Sequence, residues 1–115
     1  MRKNLTRKER LRGTAALKRV FTVSRKITCP GVRLLVAENG LENNRVVVSF
    51  VRKFGCSVER NRARRVGKEA YRNIKDMIKP GFDLAFILFP GDYSYDKRIS
   101  QFSFLLKKAG LFREN

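Results

Sequence analysis

The sequence predicts a small α+β sandwich, with helices packed on a mixed sheet and elements in the order α-β-β-α-β-α. Three observations predict it. Two runs rich in β-branched residues lie between positions 32 and 51. A long segment of helical periodicity starts at Ser57, and a nearly unbroken apolar run covers Phe82 to Phe89. At 115 residues, 43% of them hydrophobic, the chain has room and material for one core.

Residues 1–12 hold six basic side chains and one acid, and read as a basic arm that is mobile until an anionic partner orders it. The single domain is expected over 13–115. Gly13-Thr14 opens a short helix with Thr14 as its N-cap, and Leu17, Val20 and Phe21 recur at helical spacing as its apolar stripe. Val32 to Ala37 and Arg45 to Val51 follow as strands. Asn39-Gly40 and Asn43-Asn44 between them suit the turn of an antiparallel hairpin. Alternation sets Val32, Leu34 and Val36 on one face, and Arg33, Leu35 and Ala37 on the other.

The longest helix runs from Ser57 to about Lys79, where Pro80-Gly81 stops it. Phe82 to Phe89 is the length of a strand and apolar on both sides, as a central strand covered on both faces would be. After a loop from Asp92 to Asp96, Ser94 or Asp96 caps the last helix. That helix gathers Ile99, Phe102, Leu105, Leu106 and Ala109 on one side and ends at Gly110.

Charge sets the function class. Twenty-seven Lys and Arg face ten Asp and Glu, a formal net charge of +17. Self-repulsion of that size works against a compact chain, and a polyanion that neutralises it is the simplest partner. No apolar run approaches the ~20 residues of a membrane span, and no secretory signal is recognisable at the N-terminus. Cys29 and Cys56 form no C-x-x-C pair, and histidine is absent, so neither a zinc site nor a Ser-His-Asp or Cys-His centre is expected. A cytoplasmic location fits two reduced thiols. No catalytic or metal-ligating residue is assigned.

On the long helix, Ala63, Val66, Gly67, Ala70, Ile74, Met77 and Ile78 fall within about a third of the circumference. Arg64, Arg65, Lys68 and Arg72 lie opposite, with Arg62 on one flank and Arg60 at the edge of the apolar stripe. From Arg60 to Arg65 there are four arginines and no acid. A solvated helix face normally mixes its signs, and a helix N-terminus favours acids. An array of one sign in that place suits phosphate, on which amides, dipole and guanidinium groups converge.

The stretch Val58-Glu59-Arg60-Asn61-Arg62-Ala63-Arg64-Arg65 resembles the R-N-R signature of the bacterial ribonuclease P protein family. Arg52-Lys53-Phe54-Gly55 resembles that family's K-K-x-G approach, and Glu69 matches an acid that often follows the signature. The likeness runs from about Leu11 through the final helix, and includes Leu17-Lys18-Arg19-Val20-Phe21 and Ser94-Tyr95-Asp96.

The resemblance implies the left-handed βαβ crossover of that family, a rare handedness that nothing in the sequence itself requires. It implies a protein subunit that binds ribonuclease P RNA and the 5′ leader of precursor tRNA. Endonucleolytic removal of the leader would be carried by the RNA with Mg2+ held mainly by RNA. Carried over by position, Lys53, Arg60, Asn61, Arg62, Arg64, Arg65 and Lys68 form the RNA surface, and Leu17, Phe21, Arg33 and Leu35 line the leader cleft. Leu17 stands where relatives often have phenylalanine and Leu35 where a tyrosine occurs; leucine packs on a base but stacks poorly. Neither a membrane nor a further protein partner is implied. Two other readings compete: a ribosomal or general RNA-binding protein of the same fold, and an intrinsic metal-dependent nuclease using Asp83, Asp92 and Asp96.

Overall fold

The computed structural model describes residues 9–113. Among these residues the order is α1 (Thr14–Val23), β1 (Arg25–Cys29), β2 (Val32–Glu38), β3 (Arg45–Phe50), α2 (Ser57–Ile74), β4 (Phe82–Leu88) and α3 (Tyr95–Lys108). The four strands make one mixed sheet in the order β1-β2-β4-β3. The class is the α+β sandwich expected, with one strand more than the sequence reading contained.

That strand is β1. Its pattern, Arg25-Lys26-Ile27-Thr28-Cys29, leaves both cations and the threonine exposed and only half-buries Ile27 and Cys29. It pairs antiparallel with β2 from Arg25↔Val36 to Cys29↔Val32. Pro30-Gly31 makes the two-residue turn, with Gly31 at φ 94°.

The expected β2–β3 hairpin does not form. β4 lies between them, antiparallel to β2 and parallel to β3, in register from Leu34↔Phe86 to Val48↔Phe86. The most apolar strand takes the centre, where both its edges and both its faces are covered. The asparagines read as turn formers instead bracket the start of β4. Asn39 Nδ2 donates to the Asp83 carboxylate at 3.0 Å, and the Phe82 amide donates to Asn44 Oδ1 at 2.8 Å.

β4 serves two cores. Leu84, Phe86 and Leu88 point to the face covered by α2 and α3, where Val32, Leu34, Val46, Val48, Tyr71, Phe102 and Leu105 join them. Ala85 and Ile87 point to the opposite face, packed with Leu35, Ala37, Leu11 and Val20 of α1. The alternation expected in β2 is the one observed.

Gly67 of α2 faces the sheet. A Cβ there would stand 3.3 Å from Val48 Cγ1 and 3.6 Å from Leu88 Cδ1, so glycine lets the helix approach closely. This answers the ~1 kcal/mol that glycine costs inside a helix. Ala70, Tyr71 and Ile74 complete the buried face of α2, and Ala63 and Val66 are half-buried at its edge. Tyr71 was not among the expected stripe.

Helix boundaries differ at two ends. Gly13, not Thr14, occupies the N-cap position of α1, and no side chain caps it. α2 ends at Ile74 and tightens into a 3-10 turn over Lys75–Met77, short of the expected Lys79. The C-terminal segment explains this end. Arg113 donates its amide to Met77 O, and the Lys79 amide donates to Leu111 O at 2.7 Å, so these groups pair across chains of the fold rather than along a helix. Ser94 caps α3 by accepting the Lys97 amide at 3.3 Å.

Residues 1–8 of the expected arm lie outside the described residues. Its last part is docked: Leu11 is buried, its amide donates to Val46 O at 2.9 Å, and Glu9 pairs with Lys75 at 3.1 Å.

Candidate nucleic-acid interface

The α2 helix starts where the chain leaves the β3 edge through Arg52, Lys53, Phe54 and Gly55. Phe54 is buried against Phe50, with ring centroids 4.8 Å apart, which pins the approach to the sheet. Gly55 sits at φ 147°, and a Cβ there would meet the Glu59 carboxyl at 3.0–3.3 Å. Glycine therefore allows both the backbone angle and the approach of Glu59. Cys56 is extended at the N-cap position, and no side chain caps the helix. Its thiol donates to Glu59 Oε1 at 3.2 Å.

Arg60, Asn61, Arg62, Arg65 and Lys68 are exposed on α2, and Lys53 is exposed just before it. None of the five cations forms an ion pair with an acid among the described residues. Arg64 differs. It is half-buried, its guanidinium carbon lies 5.0 Å from the Phe50 ring centroid, and Nη1 donates to Asn61 Oδ1 at 3.1 Å. Asn61 thus steadies an arginine as well as presenting its own amide. Arg72, read as part of the same face, is paired with Glu69.

Only Arg60 falls in the first turn of α2, since the helix begins at Ser57. The dipole acts within that turn, so for Arg62, Arg64 and Arg65 the unfavourable field comes from each other. Arg60 and Arg64, Arg64 and Lys68, and Lys68 and Arg72 are like-charge pairs at i,i+4. Lys68 registers the crowding: its pKa lies below the usual lysine value through partial burial, then through the charges of Arg10 and Arg64. Arg10 belongs to the expected arm. Its bridge to Val46 brings it to this patch, and only the folded chain shows that.

The second candidate surface is on the other face of the sheet, beside α1. Phe21 is 45% exposed there, and Leu17 is half-buried against the second core. Arg33 is half-buried with its guanidinium carbon 5.5 Å from the Phe89 ring centroid. Leu35, at 2% exposure, lies under α1 in the core and offers no face for stacking. α1 is seated on the sheet by Val20 in the second core, and Arg19 adds to this by donating to Glu38 O and standing 3.7 Å from the buried Asp83 carboxylate. Arg45 grips the same carboxylate through Nε and Nη2, each at 2.7 Å, and this bond raises the pKa of Arg45. Asp83 is therefore an anchor, not a candidate acid for metal-dependent chemistry. Among the described residues, no group of three or more Asp, Glu, Cys or His gathers in a way that holds a metal ion.

A family model described as Ribonuclease P matches residues 5–110. The chain belongs to the ribonuclease P protein family. Within the family it is 42% identical over 82 residues to the ribonuclease P protein component of Clostridium botulinum strain Langeland, covering 69% of this chain and 74% of the relative. It is 30% identical to that of Caldanaerobacter subterraneus subsp. tengcongensis, with 99% and 97% covered. The solved RNase P protein of Thermotoga maritima superposes with a TM-score of 0.78 at 25% identity, over 87% of this chain and 96% of the other. A Staphylococcus aureus RNase P protein structure shares the fold at a TM-score of 0.82 and 20% identity. Family membership removes the ribosomal alternative, and no helix of the described residues is long and apolar enough to cross a membrane.

Proposed function

We propose that this chain acts as the protein subunit of ribonuclease P in the cytoplasm, binding the catalytic RNA through α2 and the 5′ leader of precursor tRNA beside α1. The observation that carries the RNA-binding reading is the set of exposed cations on α2 and at Lys53 that have no acid partner among the described residues. A phosphate backbone relieves their mutual repulsion and releases counterions on binding. Arg60, Arg62 and Arg65 are exposed to solvent and Lys68 is exposed but partly desolvated, while Arg64 is held ready by Phe50 and Asn61.

On the opposite face, Phe21 offers an exposed ring to a base or ribose, with Leu17 and the Arg33 guanidinium near the sheet. Leu35 supports the floor from beneath. Mg2+ belongs to the proposed holoenzyme as an ion held mainly by RNA. Among the described residues no group of three or more Asp, Glu or Cys side chains gathers to hold it.

Reconstitution tests the proposal. Purified protein should not cleave precursor tRNA alone. With the cognate ribonuclease P RNA at low magnesium, it should give a single cut at the mature 5′ end and raise the rate over RNA alone. Cleavage by the protein without RNA, or no stimulation at low magnesium, rules the proposal out.

A further inference from the structure

Arg98 of α3 carries a buried charge with no carboxylate partner among the described residues. The residue is 2% exposed. Nη1 donates to Gly31 O at 2.9 Å and Gln101 Oε1 at 3.0 Å, and the guanidinium carbon lies 4.4 Å from the Tyr93 ring centroid. None of these partners is a carboxylate. The less buried Arg45 and Lys75 each have one, Asp83 and Glu9. Burial holds the pKa of Arg98 below the usual arginine value. Buried charges ordinarily come paired, because an unpaired one is costly.

Nε and Nη2 of Arg98 have no hydrogen-bond partner among the described residues. Arg98 also lines a cavity of about 600 Å³ between α2 and α3, walled by Phe54, Arg62, Tyr93, Tyr95, Glu59 and Asp92. A second hollow of about 450 Å³ shares Arg62 and Tyr95 and continues along α2 past Arg65. Together they form a groove leading from the exposed arginines into the fold.

The wall chemistry selects the occupant. Two guanidinium groups suit a phosphate. Glu59 and Asp92 would repel a bare anion but accept hydrogen bonds from N–H groups, and three aromatic side chains suit a flat ring. One ligand carries an anion, N–H donors and a flat ring at once. We infer that this cavity is a nucleotide pocket, which takes a single unstacked nucleotide of bound RNA with its phosphate toward Arg62 and Arg98 and its base against the tyrosines. The volume lies in the range of small-ligand sites, and splayed-out bases are the usual targets of sequence-selective RNA binding. The inference rests on the RNA-binding reading and goes beyond it by naming the site.

Nuclear magnetic resonance on the full chain tests it apart from cleavage. The amides of residues 91–98 and the Nε–H of Arg98 are followed while UMP, AMP, uridine and inorganic phosphate are added at matched ionic strength. The monophosphates should shift these signals saturably, and a short single-stranded RNA should shift the same signals at lower concentration. Uridine and phosphate alone should bind about fivefold more weakly or worse, and Arg98→Gln or Tyr95→Leu should each weaken UMP by about fivefold or more. Tyr95→Leu keeps the test alive if Arg98→Gln does not fold. Shifts confined to residues 60–65 overturn the inference without touching the proposed function. So does phosphate alone matching UMP, or a free nucleotide that the RNA strand cannot displace.

Discussion

Arg60→Ala separates the two effects of a cationic helix face, and the structure gives each a size. Arg60 is exposed in the first turn of α2 with no acid partner among the described residues, and Arg64 follows it at i+4. Removing it deletes an opposed dipole interaction of about 0.3 kcal/mol and a like-charge pair of about 0.3 kcal/mol. The fold should gain about half a kcal/mol, roughly 2 °C in Tm for a domain of this size. RNA affinity should move the other way. One lost phosphate contact lowers the slope of log K against log salt by about 0.7 for a single strand, which is worth roughly fourfold in affinity at about 0.15 M salt.

Arg64→Ala is the control. Its loss removes the contact with Phe50, about 0.5 kcal/mol or more, and the bond to Asn61, about 1 kcal/mol. Against this, about 0.6 kcal/mol is relieved from its like-charge pairs with Arg60 and Lys68. Stability should therefore fall by about 1 kcal/mol while RNA binding also weakens. Thermal melts followed by circular dichroism, and filter binding over about 50 to 200 mM salt, measure both quantities. An Arg60→Ala protein with a lower Tm and an unchanged salt slope would refute the reasoning, because Arg60 would then be a structural residue.

Three further outcomes are expected. Asp83→Asn should lower stability by about 2 to 3 kcal/mol in urea unfolding, near the lower end for a broken buried ion pair because Arg45 keeps some solvent contact; an unchanged midpoint would deny Asp83 its anchoring part. Lys68 has a depressed pKa in the free protein, and a bound phosphate favours its charged form. Affinity should thus be flat near neutrality and fall as pH rises through the depressed value, below the usual 10.5, with Lys68→Arg removing the fall. An alkali-stable 2′-O-methyl oligonucleotide allows the measurement, and a fall that persists in Lys68→Arg assigns it elsewhere. Phe21→Ala and Arg62→Ala should weaken precursor tRNA binding to the holoenzyme additively, within about 0.5 kcal/mol, because the sheet stands between them; a larger coupling energy would show that the two faces meet through a shared partner.

What the sequence made legible was what is local and periodic. The core stripe of α2 shows as a 3.6-residue repeat, and β4 shows as a run too apolar for any edge. β1 was hidden because its alternation is short, Ile27 and Cys29 against Lys26 and Thr28, and ends at once in Pro30-Gly31. Strand order was hidden for a different reason. Asn39 and Asn44 have good turn chemistry, but their side chains bond Asp83 and the Phe82 amide, partners about forty residues away. The arginine array was legible from spacing alone, whereas the burial of Leu35 depends on where α1 docks. Arg98 gave no signal, since one cation in a polar helix turn looks solvated until the neighbouring elements close over it.

β4 explains how so small a domain can present two separate surfaces. Its odd residues face α1 and its even residues face α2 and α3, so one strand fixes both layers. Asp83 at its start is buried on the α1 side and holds Arg19 and Arg45, while Leu88 at its end packs near Gly67, where α2 comes closest. The α1 surface therefore rests on an apolar contact through Val20 together with an ion-pair network at one end of the strand. The α2 surface depends on apolar contact along the other face. Charge on α2 is free to accumulate because its seat on the sheet needs no polar partner, and the strain of the array falls on side chains that solvent or phosphate can reach.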